Sequence, residues 1–147
     1  MKVDGLRSCY DQVGGLVYFG RMLDKIRLHA AGKLPPEYHE NLGTGFDGRC
    51  CHFLRVAYDE LVARVKQGGT DEQMLQWCFS RGRQPDDDEI EIWNGFMTKR
   101  GWRDDASERL AQRLKESGLT HRTDIHTMFD YIDADEGRSS HASFGSN

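Results

Sequence analysis

The segment Val13–His29, with the sequence VGGLVYFGRMLDKIRLH, constrains the fold more than any other part of the chain. Its pattern is that of a helix with apolar residues on almost every side, yet Arg21, Asp24, Lys25 and Arg27 fall within seven positions. A helix that is apolar all round is buried, and buried charges must be paired or held for a ligand. The segment therefore predicts either a buried network of ion pairs or a charged face that binds a ligand or partner.

The predicted helix extends from Gly15 to Ala31, where Gly32 and the following Pro35-Pro36 stop it. On the opposite side from its main apolar stripe, the charged residues alternate with Val17 and Leu28, so this helix is expected to have protein on two sides. The stripe itself follows a spacing of three and four residues: Leu16, Phe19, Leu23, Ile26 and Ala30.

Arg21 and Lys25 lie one helical turn apart, and like charges at this spacing repel by roughly a few tenths of a kcal/mol. A carboxylate or phosphate between them would relieve the repulsion, because arginine offers a planar fork and lysine a point charge. The alternative is that Asp24, which can pair with Arg21 or Arg27 along the helix, and acids elsewhere neutralise the cluster structurally. Both interpretations stay open at the level of sequence.

A glycine-rich loop follows this helix, over residues 33–48. Gly43, Gly45 and Gly48 with Asp47 and Arg49 give a backbone that can approach a ligand closely. The spacing matches neither a P-loop nor a dinucleotide-binding fingerprint, and a tight connection between helices, with Asp47 as the N-cap of a short helix to Leu54, is the structural alternative.

His29 and His39 flank the same loop, and a histidine beside a carboxylate such as Asp24 or Asp47 makes a workable acid/base pair. No base or nucleophile can be assigned from spacing alone, so catalytic residues stay unassigned. The predicted ligand-binding residues are Arg21, Asp24, Lys25, Arg27, His29, His39, Asp47 and Arg49.

The four cysteines are Cys9, Cys50, Cys51 and Cys78, and none forms a Cys-x-x-Cys motif or a zinc-finger spacing. They are predicted to be small buried apolar residues. Cys50-Cys51-His52 suggests a nucleophile, but consecutive residues on a helix point about 100° apart and do not face each other. No metal site and no cofactor is predicted.

Further along the chain, apolar spacing and stop signals predict additional helices over Tyr58–Gln67, from a capping box at Thr70, after Pro85, from Asp104 or Asp105 to Ser117, and from Thr123 or Asp124. No convincing strand pattern occurs. The predicted fold is all-α, a single domain of six or seven helices over residues 1–138, followed by a polar tail over 139–147.

Composition excludes several classes of protein. A formal net charge of −4 disfavours a phosphate-backbone binder, and the acids that open the helix after Pro85 would repel DNA while suiting the helix dipole. No run of about 20 apolar residues occurs, so no membrane-spanning helix is expected, and the absence of a signal-like segment indicates a cytoplasmic protein.

The acids of Asp133–Gly137 fail the calcium-loop pattern and are expected to form a solvated helix end that pairs with Arg138.

The motifs Gly14-Gly15-Leu16 and Arg21–Arg27, with Gly32 and the turn Glu37-Tyr38-His39, resemble the opening of a small bacterial family described as a domain of unknown function. Later similarities are Phe53-Leu54, Val65–Gly68, Thr70-Asp71-Glu72 and Trp77. The resemblance covers about residues 6–137. It implies a cytosolic bacterial protein without an established activity.

Two functional hypotheses follow. In the first, the protein binds a small anionic ligand at the Arg21/Lys25 face beneath the 41–49 loop, with enzymatic activity left open. In the second, it is a non-catalytic helical module for protein–protein interaction or self-association, with a homo-oligomer whose interface contains Trp77, Trp93 or Trp102.

Overall fold

In the computed structural model, residues 2–140 are described, and they form seven α-helices, one 3-10 helix and one two-stranded hairpin. The predicted all-α class with six or seven helices is confirmed for this part of the chain. The strands are β1 (Gln12–Val13) and β2 (Leu16–Val17), and the 3-10 helix is Pro36–Asn41. The helices are α1 (Phe19–Ala30), α2 (Phe46–Leu54), α3 (Tyr58–Lys66), α4 (Asp71–Arg81), α5 (Asp87–Lys99), α6 (Ser107–Glu116) and α7 (Met128–Asp135).

The hairpin replaces the predicted first turn of α1, so the expected helix start at Gly15 is wrong. β1 and β2 pair antiparallel with Val13 opposite Leu16, and both turn glycines have positive φ, 58° at Gly14 and 83° at Gly15. Two residues with positive φ between paired strands are the signature of a tight hairpin turn, which glycine adopts without steric cost. A Cβ at Gly14 would also lie 2.3 Å from the Leu75 side chain.

Helix α1 lies in the middle of the domain. Its first eight residues, Phe19–Ile26, are all buried, which confirms the prediction of protein on two sides. It packs against α3 and β1, and its apolar residues join one core cluster with those of α2, α3, α4, α5 and α7.

Local capping sets where the outer helices begin. Thr70 forms the predicted capping box with Gln73, and Asp86 forms a second one with Glu89. Helices α6 and α7 begin later than predicted because polar side chains close turns in front of them. The Asp104 carboxylate accepts hydrogen bonds from the N–H groups of Gly101 and Ala106, and Thr127 caps α7.

The 33–48 loop is more structured than predicted, since it contains the 3-10 helix. Helix α2 begins at Phe46 with Gly45 as its N-cap, so the assignment of Asp47 as the cap is wrong. Asp47 instead lies in the first turn with a buried side chain, which accepts a hydrogen bond from the Gly43 N–H.

Among residues 2–140, no helix combines the length and the apolar character needed to cross a membrane. The predicted polar tail over 139–147 lies almost entirely outside the described residues.

Candidate functional site

Arg21 on α1 and Glu136, just after α7, form a buried bidentate ion pair. Arg21 Nη1 and Nη2 donate to the two Glu136 carboxylate oxygens at 2.9 and 2.7 Å. The Tyr38 hydroxyl donates to Oε2 of this carboxylate at 2.8 Å, and Arg138 pairs with Oε1, the oxygen that Arg21 Nη1 also contacts. Burial opposes ionisation of Glu136, but the hydrogen bonds and charge of Arg21 lower its pKa to about 2. The carboxylate is therefore ionised at neutral pH and fully engaged.

Lys25 has a partner of its own in Asp47, the most deeply buried acid of the described chain. Lys25 Nζ lies 2.9 Å from Asp47 Oδ1, and the Tyr18 hydroxyl donates to that oxygen at 2.6 Å. Tyr18 holds a positive φ of 74° at the junction of β2 and α1, a conformation that costs free energy in a non-glycine residue. The glycine-rich loop thus wraps the carboxylate that neutralises Lys25.

Asp24 and Arg27 belong to a third group, which is centred on Arg7. Arg7 Nε and Nη2 donate to the Asp24 carboxylate at 2.9 and 3.0 Å, and Arg7 Nη1 donates to Asp71 at 2.8 Å. Arg27 donates to the other Asp71 oxygen at 2.6 Å. Although partial burial opposes it, these two arginines lower the pKa of Asp71. Asp24 therefore pairs with Arg7 rather than with Arg21 or Arg27 of its own helix.

The charges of α1 are consequently neutralised by acids and an arginine from other parts of the chain. This agrees with the structural alternative for the distant acids, but not for Asp24, whose partner is Arg7 and not a basic residue of α1. Glu136 and Asp47 together relieve the repulsion between Arg21 and Lys25. The ligand-binding role of the eight predicted residues stays a prediction.

The remaining predicted residues lie at two separate places. The rings of His29 and His39 contact each other at 4.8 Å between centroids, and His39 Nε2 lies 2.8 Å from the Leu34 carbonyl oxygen. Within residues 2–140, no hydrogen bond joins either ring to Asp24 or Asp47. Arg49 lies elsewhere, with its guanidinium 4.9 Å from the centre of the Phe96 ring.

Sequence reasoning missed the partners in this network, because each lies far along the chain from the helix it serves. The acids after residue 130 were expected to form a solvated helix end, which is wrong, since Asp133 and Glu136 are both buried. Asp133 accepts a hydrogen bond from the Ser8 hydroxyl, and burial raises its pKa. The predicted pairing of Arg138 with these acids is confirmed. The missed residues are Arg7, Tyr18, Tyr38, Asp71 and Glu136.

All four cysteines are free and buried, as predicted. Burial raises the pKa of the Cys9, Cys51 and Cys78 thiols to about 12, and that of Cys50 well above its usual value. The thiol form, which is the poor nucleophile, therefore dominates at neutral pH.

A surface cleft of about 510 Å³ lies between the hairpin, α5 and the segment before α7. We call it the α5 cleft. The residues that give it polar and aromatic character are Gln12, Asn94, Thr98, Lys99, Trp102 and His126. None of the eight residues predicted from the sequence lines it. A second depression, of about 460 Å³, lies beside Trp77 between α3 and α4.

The walls of the α5 cleft are fixed by hydrogen bonds across the fold. Asn94 accepts from the Val17 N–H at 3.0 Å and donates to the Gly15 carbonyl at 2.8 Å, which ties α5 to the hairpin. The Met128 N–H donates to the Arg100 carbonyl at 2.8 Å, so the turn that carries Trp102 is anchored to the start of α7. These hydrogen bonds hold the hairpin, α5 and the start of α7 in place around the cleft.

Lys99 supplies a positive charge at this cleft. In the described part of the chain, no ion pair includes Lys99, in contrast to Arg21, Lys25 and Arg27. Trp102 beside it is 49% exposed. Trp93, which was considered as an interface residue, is buried, and its indole N–H donates to the Val17 carbonyl. Among residues 2–140, no group of three or more His, Cys, Asp or Glu side chains is arranged to hold a metal ion.

The fold defines a class of mainly helical protein, in which the central helix α1 carries charged residues that form buried ion pairs with distant parts of the chain. The chain matches the family described as "Domain of unknown function (DUF5069)" over residues 3–138. Because this match spans most of the 147 residues, the protein belongs to that family. No curated protein gives a significant match to the chain.

Proposed function

We propose that the protein binds a small anionic ligand in the α5 cleft. The observation that carries the proposal is Lys99, whose ammonium has no ion-pair partner within residues 2–140 and lies at the rim of this cleft. Ligand sites are concave, with a few convergent polar groups among apolar ones, and this cleft has that character. The proposal keeps the anionic ligand expected from the sequence and places it on a different surface.

The chemistry of the lining favours a ligand with both a planar group and an anionic group. Trp102, which is 49% exposed and has the Arg103 guanidinium 5.0 Å from its ring centre, offers aromatic surface for a planar group. Lys99 offers a mobile point charge for a carboxylate or phosphate. The Thr98 hydroxyl donates to the Asn94 carbonyl at 2.7 Å, so its oxygen is oriented to accept a hydrogen bond from a ligand.

Arg21 and Lys25 are poorer candidates for the anion, because binding there would release a buried carboxylate. An uncompensated buried charge costs about 3–5 kcal/mol, which a small anion would have to offset before gaining affinity. Within a single chain, no such partner has to be displaced at Lys99, since none of the ion pairs among residues 2–140 includes it.

The test is a titration of tryptophan fluorescence with benzoate, a nucleoside monophosphate and inorganic phosphate. We expect the two planar anions to quench the emission of Trp102, and Lys99→Gln to weaken their binding by about tenfold, the effect of losing one charge-assisted contact. Trp102→Phe should abolish the signal.

Lys66→Gln is the matched control, because Lys66 is likewise the exposed last residue of a helix but lies away from the cleft. The proposal fails if none of the three anions changes the emission, or if Lys99→Gln and Lys66→Gln reduce binding equally.

A further inference from the structure

The outward side of α5 carries large apolar residues that are partly exposed to solvent. Ile92 is 63% exposed and Phe96 40% exposed, and with Trp102 they are the exposed large hydrophobic residues of the described chain. Ile92 and Phe96 lie four positions apart on α5, so their side chains are neighbours on the helix surface. Neighbouring exposed apolar side chains offer a surface that a partner can bury.

Gly95 lies inside this patch, in the middle of α5. A Cβ added there would meet nothing within 4 Å, so the fold itself does not require glycine at this position. Glycine in a helix interior destabilises the helix relative to alanine. A glycine without a reason within the domain fits a position where another helix approaches the α5 backbone.

The same side of α5 carries negative charge near its beginning and positive charge at its end. Asp88 and Glu91 are exposed near the beginning, and Lys99 is exposed at the end. None of the three belongs to an ion pair among residues 2–140. Acids suit the start of any helix because of its dipole, so their presence alone decides nothing. Asp88 and Lys99 together, however, make this side of the helix complementary to an antiparallel copy of itself.

We propose that a second copy of this chain packs on the outward side of α5, with the two α5 helices antiparallel about a two-fold axis. The seam consists of positions spaced by four, three and four residues, the spacing of packed helices. An axis level with the peptide between Trp93 and Asn94 makes the contacts symmetric. The seam residues are Asp88, Ile92, Gly95 and Lys99.

A two-fold axis at this position pairs opposite charges and also matches a large side chain with a small one. It places Asp88 opposite the partner's Lys99, and Ile92 opposite the partner's Gly95, where the missing Cβ leaves room for the branched side chain. Phe96 then lies on the same side of the seam as the partner's Ile92 and within one residue of its level. A two-fold interface must be self-complementary, and this one is.

The Phe96 side chain is ordered by contacts within its own chain. The guanidinium groups of Arg49 and Arg100 lie 4.9 and 5.5 Å from the centre of its ring. A ring that is already ordered loses less conformational entropy when a partner covers it. Arg49, which the sequence associated with a ligand loop, thus supports the exposed face of α5.

Sedimentation of the full chain over a range of concentrations tests the proposal, without added ligand. We expect the 16.9 kDa monomer to convert to a species of twice that mass as concentration rises. Lys99→Glu and Asp88→Lys should each raise the dissociation constant by about tenfold or more, because like charges then face each other across the seam. The double variant Asp88→Lys/Lys99→Glu should return it to within about threefold of the original value.

The substitution Gly95→Ala distinguishes a dimer interface on α5 from a helix face that is exposed only to solvent. We expect it to raise the melting temperature measured at concentrations where the protein is monomeric, since alanine favours the helix. The same substitution should weaken dimerisation, because the added methyl group meets the partner's Ile92. Lys66→Glu, on the far end of α3, is the charge control and should leave association unchanged.

A single species of 16.9 kDa at every concentration up to the millimolar range would overturn the proposal. So would a dimer that Lys99→Glu leaves intact, or one that the charge-reversed double variant fails to restore. Failure of dimerisation is distinguishable from failure of ligand binding, because the fluorescence titration with benzoate can be run at concentrations where the protein is monomeric.

Discussion

Arg21 and Glu136 are 115 positions apart in the sequence and form a bidentate ion pair whose side chains are 4% and 3% exposed. The pair joins the central helix to the end of the described domain. Removing one partner of a buried pair leaves a desolvated charge, which is far more costly than the pair is stabilising. The pair therefore fixes how the C-terminal region sits on α1 more than it adds to stability.

Removing either member of this pair should destabilise the protein strongly. Arg21→Met leaves the Glu136 carboxylate with Arg138 and Tyr38 as partners. Because Arg138 still compensates part of the charge, we expect a loss of about 3 kcal/mol in the free energy of unfolding, the lower end of the range for a broken buried pair. Urea denaturation followed by circular dichroism measures this loss. Arg113→Met, which breaks an exposed pair with Glu116, is the matched control and should cost less than about 1 kcal/mol.

The double variant Arg21→Met/Glu136→Leu distinguishes a buried-charge penalty from loss of packing. Because it removes both charges, it should recover part of the stability lost in Arg21→Met. If the two substitutions destabilise additively instead, the charge of Glu136 is not what makes Arg21 necessary.

Acid should weaken the fold through the same carboxylate. The pKa of Glu136 is about 2 in the folded protein, below its ordinary value of 4.5, so the folded state favours the ionised form. This contribution is complete above about pH 4.5 and is lost as the pH falls through 2. Asp133, whose pKa is raised by burial, contributes with the opposite sign.

We therefore expect the free energy of unfolding to fall more steeply between pH 4.5 and 2 in the original protein than in Glu136→Gln. Urea denaturation at pH 5, 4 and 3 measures the two slopes. Equal slopes would show that Glu136 is not held in its ionised form by Arg21.

Sequence reasoning identified the helices well and their tertiary partners poorly, for a physical reason. The capping box at Thr70 and the burial of α1 depend on residues a few positions apart, which spacing reveals. The partners of Arg21 and Lys25 depend on chain topology, which local periodicity does not contain. An acidic run such as Asp133–Glu136 looks solvated until the fold places Arg21 beside it.

The hairpin shows the same limit on a smaller scale. Gly14-Gly15 is a strong turn signal, but the flanking strands have only two residues each, too few to show alternation. The apolar spacing from Leu16 onward therefore matched a helix equally well. The α5 cleft could not be predicted from the sequence either, because its lining residues come from three separate segments: the hairpin, α5 and the segment before α7.

The four thiols should be unreactive in the native protein. All four are buried, and burial raises the pKa of each above its ordinary value, which keeps the thiolate scarce. At pH 8, an aromatic disulfide reagent should titrate fewer than one thiol per chain in buffer and four in denaturant. Fast reaction of one thiol in the folded state would instead point to an accessible nucleophile, and mass mapping would identify it.

Lys99 links the two proposals, because an anion in the α5 cleft and Asp88 of the partner subunit would compete for the same ammonium group. Binding equilibria that share a group are coupled reciprocally, so an anion that binds Lys99 must weaken the dimer by the factor by which the dimer weakens anion binding. We expect saturating benzoate to raise the dimer dissociation constant by about threefold or more, measured by sedimentation at constant ionic strength so that screening does not change. Ile92→Gln, which weakens the dimer without altering any charge, should bind benzoate more tightly than the original protein at concentrations where the latter is dimeric. If benzoate binds and the dimer constant stays unchanged, Lys99 serves only one of the two sites, and the Lys99→Glu effect on dimerisation identifies which one.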